Sequence, residues 1–175
     1  MNPHPFIVHF PVAFLSVYCL LELVRIRYIT SAFYWFYIKA SMVIIGTVGA
    51  GAAYLSGEIA EELYGETQLV EIHSKFAKLS VVIFGLIAAL YVISWLSRLE
   101  LVQKLENYFG LNENRFYVFF RRIPNYLTDS FIMVLPALAG LVCIVITGAL
   151  GGALVYGPDV DPAVRIIYDL VVSYR

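Results

Sequence analysis

The chain has 175 residues, of which 61% are hydrophobic and 14% are charged, and its mean hydropathy is +0.79. A soluble domain is about half apolar and about a quarter charged, so this composition indicates an integral membrane protein. The net charge of -1 argues against a nucleic-acid binder, because such a protein needs a basic surface to neutralise phosphates.

Four apolar segments are each long enough to cross a bilayer, which takes about 20 residues of helix. They cover about residues 6–26, 33–55, 72–96 and 131–156. Cys19 and Cys143 fall inside spans, where single cysteines are typically small buried hydrophobic residues. The sequence therefore predicts an all-α integral membrane protein, a four-helix transmembrane bundle with short interfacial helices, as one domain over residues 1–175.

The connections between the spans contain amphipathic patterns. An acidic stretch at residues 58–66 has apolar spacing that predicts a short surface helix ending at Gly65. In the loop 98–128, apolar residues recur near the helical period and predict an interfacial helix: Leu99, Val102, Leu105, Tyr108 and Phe109. The tail from 161 to 175 predicts a second interfacial helix with one apolar face: Val164, Ile167, Tyr168 and Val171. Asp129 is expected to cap the fourth span.

Lysine and arginine are unevenly distributed between the two sides of the predicted bundle. The connections after the first and third spans hold seven such residues: Arg25, Arg27, Arg98, Lys104, Arg115, Arg121 and Arg122. The other side holds four: Lys75, Lys78, Arg165 and Arg175. Because basic loops stay in the cytoplasm, the sequence predicts a multi-pass protein of the cell (inner) membrane with both termini extracytoplasmic.

Two charged residues lie near the ends of spans and have local explanations in the sequence. Glu22 is three residues before Arg25, which predicts an ion pair along one helix face. Lys39 comes early in the second span and is expected to extend its ammonium group to the cytoplasmic interface.

All three histidines are predicted at the outer end of the bundle: His4, His9 and His73. An ionisable residue at membrane depth is a functional-site hypothesis by default. His9 and His73 come from different helices at matched depth, which predicts axial ligation of one b-type haem. The alternative is that both are hydrogen-bonded into the bundle and only join its helices. His4 is a weaker candidate, as a third metal ligand, as a propionate partner, or as a solvent-exposed residue in the proline-rich lead to the first span. Pro11 indicates that the first helix either begins near this residue or kinks there.

Small residues follow the second and fourth spans at helical spacing. Gly49, Ala53 and Gly57 form one stripe, and Gly148 and Gly152 form a second beside Gly151. Such stripes allow close approach of another helix, and plain helix packing is one explanation. They equally allow a flat macrocycle to approach the backbone, so the predicted cofactor-binding residues are His9, His73, Gly49, Gly57, Gly151 and Gly152.

The motifs at both ends of the chain resemble a known family. The first span opens with HPFIVHFP (residues 4–11), His73 opens the third, and GALGGALVY (residues 148–156) closes the fourth. They resemble the small prokaryotic four-helix membrane proteins marked by HPxxVHFP and GGxLVY, classed as domain of unknown function 2231. The resemblance marks His4, Pro5, His9, Phe10, Pro11, His73, Gly151, Gly152 and Tyr156, and it implies a protein similar to b-type membrane cytochromes. The loop 98–128 is longer than in compact members, and GPDVDP (residues 157–162) replaces the usual apolar continuation.

Three classes of function are compatible with these features. The first is an electron-transfer subunit with haem b, which exchanges electrons with a membrane quinone or with a redox partner protein docked on Glu61, Glu62 and Glu66. The second is a copper or zinc site formed by His4, His9 and His73. The third is a cofactor-free structural or assembly subunit of a membrane complex. A homo-oligomer that shares a haem is a further possibility.

Overall fold

A computed structural model of the protein describes residues 4–65 and 67–172, and for residues 62–64 it describes the backbone only. These residues form eight α-helices and two short 3-10 turns, and they contain no β-strand. The helices are α1 (His4–Leu23), α2 (Arg27–Thr30), α3 (Trp35–Tyr64), α4 (Gln68–Arg98), α5 (Glu100–Tyr108), α6 (Arg115–Asp129), α7 (Val134–Tyr156) and α8 (Pro162–Val171). The predicted all-α fold is confirmed.

Four helical segments are long and apolar enough to cross a membrane, as the sequence predicts: His4–Leu23, Trp35–Glu61, Gln68–Arg98 and Phe131–Tyr156. The chain is therefore a multi-pass membrane protein. One boundary prediction is wrong, because residues 58–64 do not form a separate surface helix and instead continue α3 without a break. The end of this helix at Gly65 is confirmed, since Gly65 has φ 84°, a conformation that residues with a side chain rarely adopt.

The four long helices form an up-and-down bundle. Helix α1 packs against α3 and α7, and α4 packs against the same two helices, so α1 and α4 lie across the diagonal. Helices α1 and α3 are antiparallel, since Gly46 lies against Leu15 and Gly57, later in α3, lies against His4, earlier in α1. Two ends of the bundle can now be named. The histidine end contains His4 and His73, and the arginine end contains Arg98 and the connecting helices α5 and α6.

Large side chains fill the interior of the bundle from its centre to the arginine end. The buried cluster consists of Leu15, Tyr18, Cys19, Phe36, Ala40, Val43, Phe84, Ile87, Ala88, Tyr91, Met133, Ala137 and Ile144. Two glycines beside this cluster have no room for a side chain. A Cβ atom added to Gly140 would be 2.6 Å from the Phe84 ring, and one added to Gly46 would be 2.7 Å from Leu15. Burial of both cysteines, as predicted, is confirmed.

The connections contain one helix that the sequence predicts and one that it does not. The interfacial helix expected in the loop 98–128 corresponds to α5, whereas the longer α6 was not predicted. The proposed cap at Asp129 is wrong. Asp129 is the last residue of α6 and pairs with Arg98 at 2.9 Å, while the Ser130 hydroxyl caps the following turn. Helix α8 confirms the predicted tail helix and packs on α7 through its buried Val164.

Candidate functional site

His73 lies on the inward face of α4 at the histidine end. It is partly buried and seven residues before the buried Ser80, so the two share one face of the helix. Its Nδ1 atom is 3.0 Å from the backbone carbonyl oxygen of Thr147 in α7. A carbonyl can only accept, so Nδ1 carries the proton and the lone pair of the neutral ring is on Nε2. Metal-ligating histidines typically have this hydrogen-bond arrangement.

His4 is the first described residue of α1 and is also partly buried. Its Nδ1 atom is 2.9 Å from the Ser56 hydroxyl of α3. That hydroxyl donates its own proton to the Ala53 carbonyl oxygen at 2.8 Å, so Ser56 Oγ accepts from His4. His4 lies within electrostatic range of His73.

His9 is exposed, and the structure does not bring it to His73. Helix α1 runs from His4 through Pro11 without a break, although the sequence left open a start at that proline. His9 is five positions after His4, and at about 100° per residue their side chains point about 140° apart around the helix. Since His4 contacts α3, His9 faces outward. The partly buried histidines at this end are therefore His4 and His73. The predicted axial pair of His9 with His73 stays a prediction.

Glycines lie directly against both inward-facing imidazole rings. A Cβ atom added to Gly57 would be 3.1 Å from Cε1 of His4, and one added to Gly151 would be 3.3 Å from Cε1 of His73. Two of the four glycines predicted to bind the cofactor, Gly57 and Gly151, thus make room for a histidine. The other two contact neighbouring helices, because Gly49 lies against Phe10 in α1 and Gly152 lies against Val164 in α8.

The three-histidine arrangement does not form in the described part of the chain. Residues 4–65 and 67–172 contain no group of three or more His, Cys, Asp or Glu side chains placed to hold a metal ion. The donor set at the histidine end is therefore two imidazoles from helices across the bundle diagonal.

A second polar site, which sequence reasoning missed, lies at the arginine end. The Glu22 carboxylate in α1 and the Lys39 ammonium in α3 are 3.1 Å apart and are 1% and 5% exposed. The hydroxyl of the fully buried Tyr91 donates to the same carboxylate. Lys39 also donates to the backbone carbonyl oxygen of Thr128 at 3.3 Å. The buried ion pair and these extra hydrogen bonds connect four helices, α1, α3, α4 and α6.

Both sequence-based explanations of these charges are wrong. Glu22 pairs with Lys39 instead of Arg25, and Lys39 points into the bundle instead of extending to the interface. Heptad spacing carries the missing signal. Glu22 is four residues after Tyr18 and seven after Leu15, both buried, so it had to lie on the inward face of α1.

Further hydrogen bonds attach α6 and α5 to the arginine end of α4. Ser94 donates to Asn125 Oδ1 at 2.6 Å, and Asn125 Nδ2 donates to the Ser97 hydroxyl at 3.0 Å. Arg121 donates to the Ser97 carbonyl oxygen at 2.9 Å and pairs with the buried Glu106 of α5. The arginine end therefore holds a dense polar network that joins α4, α5 and α6.

A scan against protein-family models found no match, and searches of curated proteins and of solved structures found none either. The resemblance to the HPxxVHFP family therefore stays a prediction. The acidic docking surface is described only in part, because Glu66 and the side chain of Glu62 lie outside the described residues.

Proposed function

We propose that the protein is a membrane electron-transfer subunit that holds one b-type haem at its histidine end through His4 and His73. The observation that carries this proposal is the pair of imidazoles on diagonal helices, each with its Nδ1 atom engaged by the fold. In the neutral ring of His73 this leaves the lone pair on Nε2, which is the atom a ligand histidine uses.

Two features near the pair support a planar group. Gly57 and Gly151 lie beside the histidine rings, whereas the main cluster of buried side chains extends from the centre to the arginine end. Thr147 and Ser56 hold the two imidazoles by their Nδ1 atoms. When bound, haem b supplies one-electron transfer, and two axial histidines would leave no open position for oxygen chemistry.

The side of the membrane follows from the distribution of basic residues. The arginine end carries most of the lysines and arginines, so the positive-inside rule places it in the cytoplasm. The histidine end then faces the outer side, where a redox partner protein would reach it. A quinone dissolved in the bilayer is the alternative electron-exchange partner.

Alanine variants of the three histidines test the proposal. Protein produced with haem supplementation should show a low-spin visible spectrum, and His4→Ala or His73→Ala should abolish it, because one imidazole rarely holds a non-covalent haem in that state. His9→Ala is the matched control and should leave the spectrum unchanged, since this side chain faces outward.

The outcomes separate the competing assignments. Loss of the spectrum in His9→Ala with retention in His4→Ala would restore the sequence-based pair and overturn the one proposed here. A wild-type protein that purifies without colour but with stoichiometric copper or zinc would favour the metal alternative. Colourless protein without metal would favour a structural or assembly subunit.

A further inference from the structure

An open groove of about 470 Å³ lies at the arginine end, between the last turns of α6 and the start of the fourth span. It belongs to neither the histidine pair nor the buried ion pair. Five residues line it: Arg122, Asn125, Tyr126, Asp129 and Ser130.

The groove has one positive charge that the protein itself does not neutralise. Both oxygens of Asp129 accept hydrogen bonds from Arg98, at 3.1 and 2.9 Å, so this carboxylate is already paired. Asn125 directs its amide inward to Ser97 and the Arg121 carbonyl. Arg122 is exposed and forms no ion pair within the described part of the chain. The charge that remains is therefore a guanidinium, a group suited to phosphate oxygens.

Hydroxyl groups accompany this guanidinium. Ser130 Oγ accepts from the backbone N–H of Ile132, which leaves its own proton to be donated. Tyr126 is 65% exposed and also lines the groove. Three residues that can donate hydrogen bonds thus line one open volume whose only carboxylate is paired.

The surface beside the groove is apolar. Helix α6 exposes a row of large side chains next to Arg122: Phe116, Phe119, Phe120 and Ile123. This helix leads directly into a membrane span, so the row lies at the level where headgroups meet acyl chains. A ligand that combines a phosphate with hydrocarbon chains matches both parts of this surface.

We infer that the groove binds the headgroup of an anionic phospholipid, with its phosphate at Arg122 and its acyl chains along the exposed face of α6. The inference does not depend on the cofactor proposed above. An exposed basic residue beside a membrane span attracts the anionic lipids of the cytoplasmic leaflet.

The test compares two single-charge variants by native mass spectrometry. Wild-type protein, Arg122→Gln and Arg115→Gln are purified in detergent and titrated with phosphatidylglycerol or phosphatidylcholine. Arg115 is the matched control, because it is an exposed arginine of the same helix that does not line the groove. We expect wild type and Arg115→Gln to retain phosphatidylglycerol in preference to phosphatidylcholine, and Arg122→Gln to retain about fivefold less of the anionic lipid.

Three results would overturn the inference. They are equal retention of both lipids by wild type, equal loss in the two variants, and displacement of phosphatidylglycerol by inorganic phosphate at the same concentration. The last result would identify a free-anion site instead of a lipid site. Because Arg122 is exposed and outside the buried network, its substitution should leave the unfolding temperature unchanged, and that measurement shows that any loss is local.

Discussion

The two ends of the bundle use polar residues in opposite ways. At the arginine end, Glu22 and Lys39 neutralise one another inside the protein, and their remaining hydrogen bonds go to Tyr91 and Thr128. At the histidine end, the Nδ1 atoms of His4 and His73 lie at hydrogen-bonding distance from Ser56 and from the Thr147 carbonyl oxygen. The difference teaches that the polar groups of the arginine end hold the helices together by pairing with one another, whereas those of the histidine end are single imidazoles attached to a neighbouring helix, the arrangement on which the haem proposal rests.

Packing follows the same division. Aromatic rings pack in series in the arginine half. The rings of Tyr18 and Tyr91 pack edge to face with centroids 5.8 Å apart, and Tyr91 stacks on Phe36 with centroids 5.5 Å apart. The histidine half has glycines beside its imidazoles. Substitutions at the arginine end should therefore act on stability, and substitutions at the histidine end on ligand binding.

The largest expected effect on stability comes from breaking the buried ion pair. Glu22→Ala would leave the Lys39 ammonium buried without its carboxylate, and losses of about 3–5 kcal/mol are typical when one partner of such a pair is removed. We expect a loss of this size in the free energy of unfolding, measured by denaturant titration in detergent micelles.

The double variant Glu22→Leu with Lys39→Met is the control, because it removes both charges and fills the space with apolar side chains. Replacement of a whole buried pair is often nearly neutral, so the double variant should be more stable than Glu22→Ala. Equal instability of the two would contradict the assignment of Glu22 and Lys39 as one mutually compensating unit.

Close packing of the core gives a smaller expected effect. Gly140→Ala would place its Cβ atom 2.6 Å from the Phe84 ring, and overpacking of this kind costs about 1–3 kcal/mol. Gly148→Ala is the matched control in the same helix, since nothing lies within 4 Å of its added Cβ atom. Unfolding measurements on both variants check the prediction. Equal stability would show that the interior yields to a methyl group and would weaken the contrast between the two halves.

The spans could be predicted from the sequence because long apolar runs decide them directly. His73 could also be placed, since it shares a heptad position with the inward-facing residues of α4. Pro11 left the relative placement of His4 and His9 open. A proline in the first turns of a helix can begin it or lie within it, and only the continuous α1 shows that His4 is on the inward face.

Two other features depend on contacts that no local pattern reveals. The pairing of Lys39 with Glu22 joins residues on different helices, so each charge taken alone suggested a nearby partner or an interface. Helix α6 contains Pro124, which argues against a helix in a linear scan. The buried contacts of Pro124 and Thr128, and the Asn114 cap, favour the helix nonetheless.

The smallest expected effect concerns the contact between α6 and α5 at the arginine end, where the Tyr117 hydroxyl donates to Glu106 Oε1 at 2.6 Å. This hydrogen bond, together with burial, raises the pKa of Tyr117 above its ordinary value of about 10. A raised pKa favours the neutral phenol in the folded state, so its stabilisation is complete below about pH 10 and is lost as the pH rises through the folded-state pKa. Tyr117→Phe should therefore lower the free energy of unfolding by about 1 kcal/mol at neutral pH, and its difference from wild type should shrink above pH 10. Denaturant titrations at both pH values measure this difference, and a gap that stays constant with pH would show that the phenol of Tyr117 is not held by Glu106.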